Sequence, residues 1–273
     1  MRAILDSVSP AETLVEALGQ IRSNPARSAI LLDIDGTLAP IVRHAADATV
    51  PEATRTLLIE ISRRYAVVGC VSGRRASTAR QIVAIGTLAY VGNHGGELLR
   101  PGTRSPEVDP ELLAWTERVR EFVARVFTID KERLRVRSED KDSIAAFHWR
   151  GAPDEQAASR AVAEIADLAV QEGFVVHWGR KVLEVRPPVA LDKGIGITRL
   201  LRGGPARAAL YVGDDSTDLD AFAGLRSLVA AGELEEAVCV AVSSDEAPPE
   251  LTEQADATVD GPEGVRSLLE ALL

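Results

Sequence analysis

Five aspartates in two short strings carry the most chemistry in this chain. Asp33 and Asp35 lie in Asp33-Ile34-Asp35-Gly36-Thr37-Leu38, and Asp214, Asp215 and Asp218 in Gly213-Asp214-Asp215-Ser216-Thr217-Asp218. Each string follows an apolar run, Ala29 to Leu32 and Ala208 to Val212, so each reads as a group of acids at the end of a buried strand. Residues two apart on an extended chain point to the same side. Acids gathered there without partners are costly to bury, and a divalent cation held through carboxylate oxygen offsets that cost. Gly36 permits the sharp turn that brings backbone close to the acids. The second string also suits a helix N-terminus, where Asp and Ser cap free N–H groups, and the two readings hold for different acids of the string.

Two further segments suit an anion. Val71-Ser72-Gly73-Arg74 offers a hydroxyl and backbone N–H groups where a strand turns into a helix. Asp192-Lys193-Gly194 puts a fixed positive charge at the start of a helix. Each tripeptide alone is an ordinary surface turn.

The elements that position these groups alternate. Buried strands are expected at 29–32, 66–73, 88–96, 208–215 and 237–242, with helices at 51–64, 75–84, 193–202 and 216–223. That order predicts an α/β fold with a parallel sheet and functional groups at the carboxyl ends of its strands. An N-terminal helix is expected too, with Ser9 as cap, Pro10 and Glu12 in its first turn, and Leu14, Leu18 and Ile21 on one face.

The middle of the chain reads differently. A long amphipathic helix over 109–127 precedes strands at 133–138 and 143–149, joined by the charged turn Glu139-Asp140-Lys141-Asp142. A helix at 153–172 and a strand pair, FVVHW and KVLEVRP with Gly179 in the turn, complete an α+β unit. Arg133, Arg135 and Arg137 alternate on one strand face as a solvated edge. The expected division is therefore a core of 1–103 and 186–273 with an inserted unit of 104–185.

Composition narrows the function classes. Of 273 residues, 46% are hydrophobic and 26% charged, which is globular rather than disordered. Lys and Arg number 31 against 41 Asp and Glu, and the net charge of −10 disfavours sequence-independent nucleic-acid binding. Cys70 and Cys239 each sit in an apolar run and read as buried thiols in a reducing compartment. No apolar run approaches a membrane span, and Asp6 interrupts the short N-terminal one, so a cytoplasmic protein without membrane association is expected.

Taken together and in order, DxDGTL, the strand-end Ser72, Lys193 and GDDxxD resemble the motifs of the haloacid dehalogenase phosphohydrolase superfamily. The resemblance implies a Rossmannoid α/β core in which Asp33 is a nucleophile forming an aspartyl-phosphate. Asp35 would protonate the leaving oxygen and then activate water. Mg²⁺ would bind the Asp33 carboxylate, the Asp35 backbone carbonyl and Asp214, with Asp215 or Asp218 in support. Ser72 and Lys193 would hold phosphoryl oxygens, with Gly73 and Arg74 beside them.

The inserted unit resembles a C2-type cap, the part that chooses substrate in that superfamily. LDIDGTLAPIV, GNHGGEL, EDKDSIAAFHWR and GRKVLEVRPPVALDKG resemble the trehalose-6-phosphate phosphatases over about residues 28–270. The resemblance implies a phosphosugar substrate, with Asn93 and His94 near it on the core. Glu139, Lys141, Arg150, Arg180 and Glu184 of the cap would grip sugar hydroxyls. Trp149 and Arg180 stand where that family usually has Tyr and Lys. The related readings are a phosphatase for sucrose 6-phosphate or mannosyl-3-phosphoglycerate, a phosphotransferase or mutase, and a catalytically silent phosphosugar-binding module. A monomer is expected.

Overall fold

Continuous apolar runs make strands that are covered on both faces, and that is how the long runs of this chain are used. The computed structural model describes residues 18–42, 47–244 and 247–273. The chain first forms β1 (Ser28–Leu32), α1 (Glu52–Ser62), β2 (Val67–Val71), α2 (Ala76–Val83), β3 (Ala89–Gly92), β4 (Glu97–Leu99) and β5 (Glu107–Val108). It continues through α3 (Pro110–Leu113), α4 (Thr116–Val126), α5 (Ile129–Arg133), β6 (Arg137–Asp140), β7 (Ala145–His148), α6 (Glu155–Gln171), β8 (Val175–Gly179) and β9 (Val182–Arg186). The last stretch is α7 (Lys193–Leu201), β10 (Ala208–Gly213), α8 (Asp218–Ala230), β11 (Glu236–Ser243), α9 (Pro249–Gln254), β12 (Ala257–Asp260) and α10 (Gly261–Ala271).

These elements make two units, one running to Glu107 and resuming at Leu191, the other Val108–Ala190. The first boundary thus falls within β5 at the sheet edge, a few residues beyond 104, and the second a few residues beyond 185. In the first unit the strand order is β12-β11-β10-β1-β2-β3-β4-β5. Pairing is parallel from β12 to β3, and β4 runs antiparallel to β3. Leu32 lies beside both Val212 and Cys70, so β1, β2 and β10 end together. Ile30, Leu32, Cys70 and Leu210 face one layer with Leu58, Ile61, Val83 and Leu268 of the helices. Ala29, Leu31, Val71 and Cys239 face the other with Ile197, Phe222 and Leu225. The two layers are the period-2 alternation of a strand buried on both sides.

The second unit has the antiparallel order β6-β7-β9-β8. Ala145, Phe147, Leu183 and Val185 pack against Val119, Phe122 and Val126 of α4 and Ala158, Val162 and Ile165 of α6. Several local expectations change here. The helix expected over 109–127 is two, α3 capped by Asp109 and α4 starting after Trp115. The Trp115 ring packs edge-on against Phe174 with centroids 5.6 Å apart. Arg133 ends helix α5, Arg135 takes φ +60° and only Arg137 is in a strand, so the three do not share a strand face. Glu139 and Asp140 belong to β6, where they pair with Ala146 and Ala145, rather than to a turn. Gly179 closes β8, and Lys181, at φ +59°, makes the turn.

Residues 18–23 are helical and bury Leu18 and Ile21 against the first layer. The expected cap and first turn at Ser9, Pro10, Glu12 and Leu14 lie outside the described residues. Among the described residues no helix is long and apolar enough to cross a membrane.

Both cysteines are free and buried. Burial, with Asp33 adding, pushes the Cys70 thiol well up; burial and Asp256 push Cys239 up to about 12, so neither forms a thiolate near neutral pH. A thiol reagent is therefore expected to leave both unlabelled in the native protein and to label both in denaturant. Rapid native labelling of either would contradict this packing.

Candidate active site

Asp33 is the first residue past β1, and its N–H donates to the Val212 carbonyl at 2.9 Å, holding it at the end of β10. The chain then turns back tightly: the Gly36 N–H donates to Ala39 O at 2.7 Å and the Ala39 N–H to Ile34 O at 2.8 Å. Gly36 sits at φ +89°, and a Cβ there would lie 2.1 Å from Asp214 Oδ2. Both the turn and the approach of backbone to Asp214 require glycine.

Lys193, first residue of α7, is buried to 2% exposure. Its ammonium donates to Asp33 Oδ1 at 2.8 Å and to Asp218 Oδ1 at 2.6 Å. Tyr211 adds its hydroxyl to the same Asp218 oxygen at 2.5 Å, and the Asp215 N–H donates to Asp218 Oδ2 at 2.9 Å. Burial pushes the Asp33 carboxyl well above the usual carboxylate range; Lys193 opposes this, while Asp218, Asp214 and Asp215 add to it. Burial alone would lower Lys193, but Asp218 and Asp33 outweigh it and hold the ammonium well above its ordinary value. Tyr211 is raised by burial and by Asp218, so it stays a donor.

Asp33, Asp214 and Asp218 each offer a carboxylate oxygen within 4.8 Å of the others. An all-oxygen set of buried acids fits a hard divalent cation. Asp218 is engaged through both oxygens, by Lys193 and Tyr211 on Oδ1 and by the Asp215 N–H on Oδ2, whereas Asp33 meets Lys193 through Oδ1. Asp215 stands apart from this group. Its side chain is 46% exposed and its Oδ1 accepts from the Thr217 N–H and hydroxyl at 2.8 and 2.6 Å. Burial works against the Asp215 anion, but Lys193 and these two bonds outweigh it and lower its pKa.

The Asp35 carboxylate is gripped by Arg74. Nε reaches Oδ2 and Nη2 reaches Oδ1, both at 2.6 Å, in a two-pronged pair. Arg74 was expected beside a phosphate; its guanidinium is here committed to Asp35. Its backbone N–H donates to Ser72 Oγ at 3.1 Å. Ser72 lies just past β2 and is itself buried. Asn93 and His94 are buried as well, in a turn where both take positive φ, and a Cβ on Gly73 would meet the His94 ring at 2.4 Å. Asp33, Asp35, Ser72, Gly73, Arg74, Asn93, His94, Lys193, Asp214, Asp215 and Asp218 are thus all residues of the first unit, linked at the carboxyl ends of its strands.

The remaining expected residues belong to the second unit. Lys141 and Glu184 are buried together, with Nζ donating to Oε1 at 2.6 Å. Arg186, which sequence reasoning did not single out, donates from Nε to Glu184 Oε2 at 2.8 Å. Register puts Glu139, Ala146, Glu184 and His177 in one transverse row on the sheet face opposite Phe147 and Leu183. His148 Nε2 is 2.8 Å from Glu139 Oε2 on that polar face. Arg150 donates to the Arg180 carbonyl at 3.1 Å, outside this cluster. Tyr211 also escaped sequence reasoning; its signal was a hydroxyl inside an otherwise apolar strand. Arg186 had the same signal, a charge two residues from Glu184 on an alternating strand.

Comparison with known proteins was made on this geometry. A family model described as trehalose-phosphatase matches residues 31–261. The probable trehalose-phosphate phosphatase D of Arabidopsis thaliana is 30% identical over 210 residues, 72% of this chain and 57% of that protein. An uncharacterized glycosyl hydrolase of Mycobacterium tuberculosis is 32% identical over 207 residues, 73% of this chain but 15% of its own length. The chain thus spans well under two thirds of these relatives. The trehalose-6-phosphate phosphatase C-terminal domain of C. albicans superposes with a TM-score of 0.74 at 22% identity, over 97% of each chain. A haloacid dehalogenase-like hydrolase from Bacteroides thetaiotaomicron gives 0.62 at 16% identity, over 90% of this chain and 99% of that one, so the fold is of that class.

The acid cluster gives a direct test. Adding Mg²⁺ is expected to raise the thermal midpoint, the linkage reaching about 2.7 kcal/mol at a hundredfold excess over Kd. Asp214→Asn should lose most of that shift. A midpoint indifferent to Mg²⁺, or an equal shift in the variant, would remove Asp214 from a cation site.

Proposed function

Because the chain belongs to the trehalose-phosphatase family, whose model spans residues 31–261, we propose that it hydrolyses trehalose 6-phosphate to trehalose and inorganic phosphate. The observation that carries the reading is the buried bridge Asp33–Lys193–Asp218 at the strand ends. A carboxylate held beside a fixed cation and next to other acids is poised to attack a phosphate ester once the acids' charge is balanced. Asp33 attacks phosphorus, and the ester oxygen leaves with a proton from Asp35, giving an aspartyl-phosphate and the free sugar. Asp35 then takes a proton from water, whose oxygen attacks phosphorus; the Asp33–phosphate bond breaks and phosphate departs. Lys193 and Ser72 hold the phosphoryl oxygens through both steps.

Mg²⁺ held by the Asp33 carboxylate, the Asp35 carbonyl and Asp214 would neutralise the phosphate charge. Arg74 has a positioning part: its fork keeps the Asp35 carboxylate in one orientation. The polar face of the second unit is the sugar-binding surface in this reading. Glu139, Lys141, Glu184, Arg150 and Arg180 supply hydrogen bonds to disaccharide hydroxyls, and a substrate lacking the matching hydroxyls forfeits them. The substrate is a phosphosugar free in solution, and no nucleic-acid or membrane partner is part of the reading.

Phosphate release should therefore depend on Mg²⁺ and favour trehalose 6-phosphate over sucrose 6-phosphate, glucose 6-phosphate and mannosyl-3-phosphoglycerate. Asp33→Asn should abolish it with the fold intact by circular dichroism. Preference for another member of the panel would keep the chemistry and replace the substrate; release by Asp33→Asn at the parental rate would remove the nucleophile. Arg74→Ala should lower kcat/KM for the sugar ester by about 10²-fold, the scale of a displaced general acid. The loss on p-nitrophenyl phosphate, whose leaving group needs no proton, should be much smaller. Equal losses would take Arg74 out of orienting Asp35.

A further inference from the structure

Glu97 is a buried carboxylate that the reaction above does not use. It opens β4 at 1% exposure. Its Oε2 accepts the Ala76 N–H at 2.7 Å, and its Oε1 accepts from Asn93 Nδ2 at 2.9 Å. Ala76 starts α2, whose own N-cap residue, Arg75, supplies no side-chain cap, so Glu97 caps the helix from another strand. Arg75 Nε lies 3.8 Å from Oε1 and balances part of the charge.

The two donors belong to two different segments. Ala76 is the first residue of α2, directly after the Ser72–Gly73–Arg74–Arg75 loop, and Asn93 opens the turn Asn93–His94–Gly95. Asn93 and His94 take φ +47° and +52°, a region side-chain-bearing residues rarely occupy. Such a turn persists only when its surroundings hold it. Here the Asn93 N–H donates to Arg74 O at 2.7 Å and the His94 N–H to Ser72 O at 3.3 Å. Gly73 and His94 then touch closely enough that a Cβ on Gly73 would meet the ring at 2.4 Å, and a Cβ on Gly92 would meet Ala76 N at 2.2 Å. The glycines remove steric bulk between the loops, and Glu97 spans them with a single side chain.

We propose that Glu97 is a positioning residue for phosphate binding: its carboxylate clamps the Ser72 loop to the Asn93–His94 turn and so sets the donors that meet the phosphate. The proposal rests on the reading of this site as a phosphatase centre. It assigns Glu97 no contact with substrate and no proton transfer. Glutamine should replace it well, because its carbonyl can accept from Ala76 N–H while its NH₂ donates to an Asn93 amide turned about. Alanine cannot span the loops, and aspartate, one methylene shorter, cannot reach both donors.

The test is the inhibition constant for inorganic phosphate in Mg²⁺ buffer, with p-nitrophenyl phosphate as reporter, alongside thermal melts. Glu97→Ala should weaken phosphate about tenfold to a hundredfold, the scale of a misplaced binding group, while Glu97→Gln stays close to the parent. A Glu97→Ala protein that binds phosphate like the parent, or a Glu97→Gln protein as weak as the alanine variant, would overturn the proposal. Should Glu97→Ala fail to fold, Glu97→Asp decides: weaker phosphate supports the clamp and parental affinity overturns it. A parent that hydrolyses p-nitrophenyl phosphate but not trehalose 6-phosphate loses the substrate reading and keeps the clamp. A parent that neither binds phosphate nor cleaves any ester overturns both.

Discussion

The ammonium of Lys193 between Asp33 and Asp218 is the interaction around which the first unit is arranged. Three ionisable groups buried to this degree are tolerable only as a set, since removing one partner of a buried pair typically costs about 3–5 kcal/mol. The set needs the end of β1 and the starts of α7 and α8 to meet at one point. Parallel pairing of β1 with β10 brings the Asp33 and Asp218 strings together, and Leu32 opposite Val212 fixes their register. Asp192 caps α7 through the Ile195 N–H and so fixes where Lys193 begins. Gly194 and Gly224 let α7 approach α8, a Cβ on Gly224 meeting Gly194 Cα at 2.5 Å. Gly213 has no side chain for a related reason: a Cβ there would lie 2.2 Å from the Asp218 carboxyl carbon.

The second unit obeys the same rule with the charges reversed. Glu184 is one carboxylate shared by two cations, Lys141 and Arg186, on a sheet whose other face is an apolar core. Replacing Glu184 by a small residue would remove the acceptor that Lys141 and Arg186 share. The oxygens that hold the sheet face in shape are thus the same ones that the proposed recognition of sugar hydroxyls calls on.

How far this could be read beforehand depended on the kind of signal. β1, β2, β10 and β11 were legible because each is an unbroken apolar run, and the acids of the Asp33 and Asp214 strings follow directly from where the runs stop. β4 and β12 were not, being three- and four-residue strands without such a run. Helix α3–α4 was legible as amphipathic, but not its interruption before Thr116, nor the contact of Trp115 with Phe174 across a long sequence separation. The pairing of Arg74 with Asp35 was hidden for the same reason: nothing local to VSGR says which carboxylate its fork will find. Tyr211 was visible as a polar group in a strand, whereas Glu97 lies in the short β4, and only tertiary structure says what either holds.

The order of elements also has a consequence for how the molecule is made. β1 pairs with β2 on one edge and with β10 on the other. Its second edge thus has no native partner until Ala208–Gly213 has been synthesised, and Asp33 waits nearly as long for Lys193. The whole Val108–Ala190 unit intervenes, a self-contained piece with its own core that is ready to fold while the central strand is still half-paired. At about 5–20 residues per second of synthesis, the interval is of the order of ten seconds or more. During it, an uncharged strand edge made of Ser28–Leu32 is open to pairing with other chains. Inserting a unit at this point of the sheet therefore lengthens the exposure of its most central strand, and lengthening the insert would extend the nascent chain's need for protection in direct proportion.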